Sequence, residues 1–150
     1  MPETIYDYPL YYDILFGWDR SAEAVFYAAA FSRFGVARTE PIAEIASGSG
    51  QVGRRLARAG WRVTGIDNRE AMLRFMQEQA RADGVTIDAV CADMETMSVT
   101  RRFGGAFNPM SSFRLLPSDA AADSHLRAMA AALRPGGVYI LDLAFGTAET

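Results

Sequence analysis

Lysine is absent from this chain: all 15 basic residues are arginine. That excludes Schiff-base chemistry, pyridoxal phosphate attachment and the lysine of a P-loop. Cysteine and histidine occur once each, as Cys91 and His125. One cysteine cannot form an internal disulfide, and one of each cannot build a Cys/His zinc cluster. No clustered carboxylate spacing suggests another metal site, so no metal is expected. No apolar run approaches the roughly 18 residues of a membrane span. The start, Met1-Pro-Glu-Thr4, lacks the basic region and apolar core of a signal peptide. Positive charge is not in excess either: a formal net charge of -3 and a pI near 5.1 argue against a dedicated nucleic-acid surface. A cytoplasmic protein without nucleic-acid or membrane partners is expected.

What is present suffices for one domain. Half of the 150 residues are apolar, enough for a real core. Tyr6, Tyr8, Tyr11, Tyr12, Phe16 and Trp18 make the first 20 residues aromatic-rich, a segment that either folds over a pocket as a lid or packs on the body of the domain. Ser21 is placed to cap a helix ending near Phe34-Gly35. Strands are expected over 42–46, 61–66, 86–91, 105–107 and 138–143. Helices are expected over 51–59, from a cap at Asn68 to about 82, and from Ser118 or Asp119 to about 133. Arg134-Pro-Gly-Gly137 reads as a sharp stop and turn before the last strand. Strands alternating with helices imply right-handed βαβ units. The expected fold is α/β: a doubly wound, mostly parallel sheet with helices on both faces, its ligand beyond the carboxyl ends of the strands.

The most informative segment is Pro41-Ile-Ala-Glu-Ile-Ala-Ser-Gly-Ser-Gly-Gln-Val-Gly53, a buried strand running through a glycine turn into a helix. Such loops let backbone approach a ligand closely. The Gly48-x-Gly50-x-x-Gly53 spacing alone also fits a dinucleotide fingerprint. The discriminating residue is Glu44, an acid inside an otherwise apolar strand, where burial demands a partner or a purpose. A carboxylate there repels a pyrophosphate and attracts an ammonium or sulfonium. The loop therefore points to S-adenosyl-L-methionine rather than to NAD.

Four motifs in order extend this reading: Glu44-Ile-Ala-Ser-Gly-Ser-Gly50, Val63-Thr-Gly-Ile-Asp67, Ala92-Asp93-Met94 and Leu133-Arg-Pro-Gly-Gly-Val-Tyr-Ile-Leu-Asp-Leu143. Together they resemble class I S-adenosylmethionine-dependent methyltransferases of the small-molecule type, from about residue 6 to residue 145. The resemblance implies that Glu44 holds the methionyl amino end, and that Ala46, Ser47, Gly48 and Gly50 pass against the rest of the methionyl chain and ribose. Asp67, 19 residues past Gly48, would accept hydrogen bonds from both ribose hydroxyls. Asp93 would accept from the adenine amine while the Met94 backbone reads a ring nitrogen. Asn68, Met72 and Met94 would border the adenine, although Met72 and Met76 are also core candidates, and Asn108 would close the cofactor site. Three positions depart from the family pattern: Ala46 replaces a glycine, Gly104-Gly105 follows Phe103 in place of an acid, and Asn68 replaces an apolar residue.

The acceptor is expected to be a small molecule above the loop after the fourth strand, with Pro109, Met110 and Phe113, together with Tyr11 and Tyr12 of the aromatic segment, as its neighbours. Asn108-Pro109 lacks the second proline and the aromatic that mark methylation of base amino groups. No catalytic residue is assigned, because displacement at an activated methyl chiefly requires alignment. His125 reads as structural or solvated. Two other functions compete: a non-catalytic or truncated cofactor-binding module, and an NAD(P)-dependent oxidoreductase, whose short-chain form needs a Tyr-x-x-x-Lys pair that this chain cannot supply. Family members continue into two further strands. The residues after Leu143 are too few to form them, so 1–150 reads as a single, C-terminally short domain. The fifth strand would then offer an open edge for a homodimer.

Overall fold

The computed structural model describes residues 2–99 and 102–144. A single sheet carries five strands: β1 (Pro41–Ile45), β2 (Arg62–Asp67), β3 (Asp88–Cys91), β4 (Phe103–Asn108) and β5 (Leu133–Leu141). All are parallel, in the order β3-β2-β1-β4-β5. Five helices accompany them: α1 (Pro9–Leu15), α2 (Ser21–Arg33), α3 (Gln51–Arg58), α4 (Glu70–Ala82) and α5 (Asp119–Ala132). Parallel neighbours cannot be joined by a tight hairpin, so crossover segments must cover the sheet. The order reverses at β1, which pairs with β2 on one side and β4 on the other. At that switch point the connections diverge and leave a cleft beyond the strand ends.

Alternation along β1 separates two cores. Ile42 faces a cluster with Phe31, Val52, Leu56, Leu73 and Met76 from α2, α3 and α4. Ala43 and Ile45 face the opposite cluster with Met129 and Ala132 from α5. Successive side chains of a strand point to opposite faces, which puts Glu44 on the same side as Ile42 and under α3. On that side the rings of Tyr27 and Phe107 lie 4.5 Å apart. Gly105 admits the helix above it, since a Cβ there would meet the Phe31 ring at 2.6 Å.

Several element ends differ from the sequence expectation. Ser21 is the first residue of α2 rather than its cap; Asp19 Oδ1 accepts its backbone N–H at 2.9 Å. Asn68 does not cap α4, because Asp67 Oδ1 accepts the Arg69 N–H instead and the helix begins one residue later. Ser118 does cap α5, with its Oγ accepting from Ala121 N–H at 3.1 Å. The Arg134-Pro-Gly-Gly137 segment is a bulge inside β5 rather than a turn before it. Leu133 pairs with Phe103 and Val138 with Gly105, so residues 134–137 loop outward. Pro135 has no N–H for the ladder and Gly136 takes a φ of +75°, which together force the detour.

β3 and β5 are the edges of the sheet. Residues 145–150, on which the expectation of a shortened C-terminus rests, lie outside the described residues. Among the described residues no helix is long and apolar enough to cross a membrane.

β1 ends one residue earlier than expected because Ala46 adopts a left-handed φ of +54°. An L-residue with a Cβ resists that conformation by roughly 1–2 kcal/mol, whereas glycine adopts it freely. Ala46→Gly should therefore stabilise the protein by about 1 kcal/mol, a rise of about 2–4 °C in Tm for a domain of this size. Thermal unfolding followed by circular dichroism checks this, and an unchanged or lowered Tm would show that the strain at residue 46 is relieved by its neighbours.

Candidate active site

The loop from β1 to α3 carries three left-handed residues, Ala46, Gly48 and Gly50. Alternation of this kind folds the chain back on itself between strand and helix. Side chains from below tie the loop down. Glu44 Oε2 accepts the Gly53 N–H at 2.9 Å, taking one of the donors that the start of α3 leaves free. Asp67 Oδ2 accepts the Gly48 N–H at 2.8 Å. Met76 packs beneath Gly50, where a Cβ would meet its Cγ at 2.5 Å. Two acids, one from β1 and one from β2, thus shape a single loop.

A cavity opens between this loop, the chain after β4 and the aromatic N-terminal segment. Glu44, Ala46 and Ser47 line one wall, Pro109, Met110 and Ser112 another, and Tyr12, Phe16 and Arg20 a third. Tyr12 lies directly over Gly48, close enough for a Cβ there to meet the ring at 3.2 Å. Among the described residues, the hydroxyls of Ser47 and Ser49 and the Oε1 of Gln51 are buried without a hydrogen-bond partner, and all three residues line this cavity. An unsatisfied buried polar atom costs about 1–3 kcal/mol. Three on one wall mark the place where a polar ligand would complete the bonding.

The charges in the cavity are equally specific. Glu44 is 2% exposed and Arg20 3%. Burial pushes the Glu44 carboxyl up to about 8, against the opposing pull of the Gly53 N–H and of Arg20 and Arg54. Arg20 is held by Glu23 through two contacts, 2.5 and 2.6 Å, lies over the Trp18 ring, and directs Nη1 to the Met110 sulfur at 3.1 Å. A ligand with an ammonium and a carboxylate on one carbon would find an acid and a guanidinium here. Burial also raises the Tyr12 phenol to about 12, so it remains a neutral hydroxyl.

The other expected residues fall into distinct places. Asp67 ends β2, half-buried, with both oxygens already accepting backbone N–H groups; burial raises its carboxyl while those donors lower it. Asn68 is exposed beside it. Asp93 follows β3 and is exposed, its Oδ1 accepting the Glu95 N–H at 2.8 Å; Met94 is half-buried next to it. Met72 is 1% exposed in α4 and does not line the cavity, as its core reading anticipates. Asn108 is fully buried, and its carboxamide clasps the protein itself: Nδ2 donates to Ile45 O at 3.4 Å and Oδ1 accepts from Phe113 N–H at 2.8 Å. Pro109 and Met110 line the cavity, whereas Phe113 packs against His125 instead. Tyr12 faces the cavity; Tyr11, 62% exposed, does not line it.

Arg20, Ser49, Gln51 and Ser112 were not anticipated as lining residues, whereas Phe16 belongs to the aromatic segment expected either to cover a pocket or to pack on the domain. Arg20 had one signal, as the first basic residue after an aromatic run. Gln51 carried none, because its Nε2 reaches the carbonyl and carboxylate of Asp13, contacts set only by packing of α1.

Residues 42–137 match the model of a family described as Methyltransferase domain. No curated protein sequence matches this chain. Solved structures do. An S-adenosylmethionine-dependent methyltransferase from Clostridium acetobutylicum superposes with a TM-score of 0.78 at 18% identity, over 92% of this chain and 57% of that one. A glycopeptide N-methyltransferase complexed with S-adenosyl-L-methionine gives 0.72 at 25% identity, over 87% and 57%. A sugar N-methyltransferase from a Streptoalloteichus species gives 0.76 at 21% identity, over 100% and 57%. The chain thus spans a little over half the length of each.

The buried Glu44 makes stability depend on pH in a defined direction. In the unfolded chain it titrates near 4.5, and in the folded chain near 8. Between these values the folded state keeps a proton that the unfolded state has lost, so its contribution is fully present below 4.5 and declines as pH rises through 8. Glu44→Gln keeps an oxygen for the Gly53 N–H but cannot titrate. Its Tm should hold between pH 5 and 8.5 while the wild type falls relative to it. Parallel Tm curves would mean that Glu44 is already ionised in the folded protein.

Proposed function

Because the chain belongs to the methyltransferase-domain family, we propose that it binds S-adenosyl-L-methionine in the cavity under Tyr12 and takes part in methyl transfer to a small molecule. The carrying observation is the buried Glu44 carboxyl and the buried Arg20 guanidinium lining one cavity, beside the unsatisfied Ser47, Ser49 and Gln51 atoms. The cofactor supplies a methyl group already activated on a sulfonium. In this reading Glu44 takes the methionyl ammonium and Arg20 the carboxylate. Gly48 and Gly50 present backbone to the chain between them, with Ala46 and Ser47 beside it. Asp67 uses its remaining lone pairs on the ribose hydroxyls. Asp93, with one oxygen on Glu95 N–H, keeps the other for the adenine amine, and Met94 and Asn68 flank the base. Asn108 acts through the backbone it clasps, holding Ile45 and Phe113 in register at the cavity mouth.

The acceptor enters between Met110, Ser112 and the Tyr12-Phe16 side of the cavity. Residues 1–20 serve as its lid: Tyr12 and Phe16, 4.7 Å apart, are continuous with Tyr6 at 5.7 Å from Tyr12. The neighbours include enzymes for sugars and a glycopeptide, and these, together with the narrow cavity and net negative charge, support a small-molecule acceptor. Met110 and Ser111 both hold left-handed φ values, +58° and +55°, in the loop facing that acceptor. Strain of this kind is retained where surrounding contacts over-determine it. Here Asp142 Oδ2 accepts the Met110 N–H and Ser111 Oγ accepts the Ala144 N–H. The geometry serves alignment rather than proton removal, and alignment is what displacement at a sulfonium methyl chiefly needs.

Titration calorimetry with S-adenosyl-L-methionine and NAD side by side tests the cofactor reading. Asp67→Ala should weaken the former by about 1.5–3 kcal/mol, the worth of hydrogen bonds to a charged group. Equal affinity in the variant would take the ribose from Asp67. A second expectation concerns β5, whose outer edge is unpaired among the described residues. Sedimentation should show a homodimer through this edge, whereas a monomer at high concentration removes it from the proposal.

A further inference from the structure

His125 is the chain's single histidine, and it is fully buried. Its ring is used at both ends: Nδ1 lies 2.7 Å from the Met94 carbonyl and Nε2 2.7 Å from the Tyr139 hydroxyl. A carbonyl can only accept, so Nδ1 carries the hydrogen. Nε2 then accepts from the Tyr139 hydroxyl, whose proton burial holds firmly in place. One tautomer is thereby selected, and burial keeps it neutral by lowering the imidazole's affinity for a second proton. The ring is packed between Tyr139, at 5.7 Å, and Phe113 of the loop after β4, at 5.9 Å.

The preceding residue on α5 acts on the next carbonyl. Ser124 Oγ donates to Glu95 O at 2.8 Å. Two consecutive side chains of one helix therefore grip two consecutive carbonyls of one turn. That turn is closed from inside by Asp93, whose Oδ1 accepts from Glu95 N–H and whose carbonyl accepts from Thr96 N–H at 3.2 Å. No described residue accepts the Met94 N–H. The turn is short and mostly exposed on its outer side, so its direction depends on what holds it from below.

We propose that His125 is a positioning residue for adenine recognition: the Met94 carbonyl that it fixes shares a peptide plane with the Glu95 N–H that holds Asp93 Oδ1, so His125, with Ser124 on Glu95, aims the second Asp93 oxygen at the base. The inference rests on the cofactor reading above. It assigns a functional consequence to a buried group that touches neither cofactor nor acceptor. A peptide plane is rigid, so pinning the carbonyls of residues 94 and 95 also fixes the Glu95 and Thr96 amides, the two that bond the Asp93 carboxylate and carbonyl. The grip runs from α5 and β5, elements of the opposite core, so the adenine turn is set by the same packing that holds β4 and β5 together.

The test compares binding of S-adenosylhomocysteine and S-inosylhomocysteine, which differ in the six-position amine that Asp93 would read. His125→Leu removes the donor at similar bulk, and His125→Gln keeps an N–H donor. The leucine variant should bind the adenosyl ligand about five- to tenfold more weakly, the worth of roughly one hydrogen bond. Its affinity for the inosyl ligand should stay unchanged, so that the preference between the two collapses. Glutamine should restore most of that preference. Equal weakening toward both ligands, or an intact preference, would reduce His125 to a core residue and overturn the inference. Should the leucine variant fail to fold, Tyr139→Phe deletes only the hydroxyl that holds the far side of the ring and should lose part of the same preference. An unchanged preference there overturns the proposal equally. A wild-type protein that binds neither ligand would instead overturn the cofactor reading, and this inference with it.

Discussion

A buried carboxylate accepting one backbone N–H organises this end of the molecule. Glu44 sits inside β1 with 2% of its surface exposed, and among the described residues its one short hydrogen bond is from the Gly53 N–H at the start of α3. Residue 53 must be glycine for that contact, because a Cβ there would collide with the same carboxylate. The bond sets where α3 begins and hence the span that the chain from Ala46 to Gly50 must cross. Isolated burial of an acid is costly. The protein meets that cost by keeping a proton on Glu44 and by placing Arg20 and Arg54 within electrostatic reach. In the proposed reading a cationic ligand takes the place of that proton.

The second acid works differently. Asp67 has both oxygens on backbone N–H groups, one at Gly48 and one at Arg69, so it joins the glycine loop to the start of α4. A carboxylate oxygen accepts more than one hydrogen bond. Asp67 can therefore serve the scaffold and a ligand's hydroxyls together. Asn108 shows the opposite economy: its carboxamide is consumed by Ile45 and Phe113, and its influence on the cavity passes through backbone. Residue types that look alike as site candidates differ in what packing leaves free.

In the proposed reading both faces of the sheet contribute to one site. The glycine loop belongs to the core built by α2, α3 and α4, while Met94 packs against the core under α5. The cleft at the β1–β4 reversal lies between them. The aromatic N-terminal segment closes the third side through Tyr12 and Phe16, and Gln51 and Arg54 hold it there by bonding Asp13.

Much of this was readable in the sequence. Alternation of strand and helix patterns determined a parallel, doubly wound sheet, because period and length leave few other arrangements. An acid in an apolar strand before a glycine turn marked Glu44 as a buried carboxyl that needs a partner, and the structure supplies one in the Gly53 N–H. The end positions of Asp67 and Asp93 followed from the same pattern. What the sequence left open depends on contacts distant along the chain. The bulge at 134–137 is decided by pairing with β4, the choice of Tyr12 over Tyr11 by how α1 lies on Gly48, and the entry of Arg20 by its approach to Met110, 90 residues away. His125 is the clearest case: no local pattern distinguishes a solvated helical histidine from one joining Met94 to Tyr139, because both partners reach it only when α5 packs on the sheet.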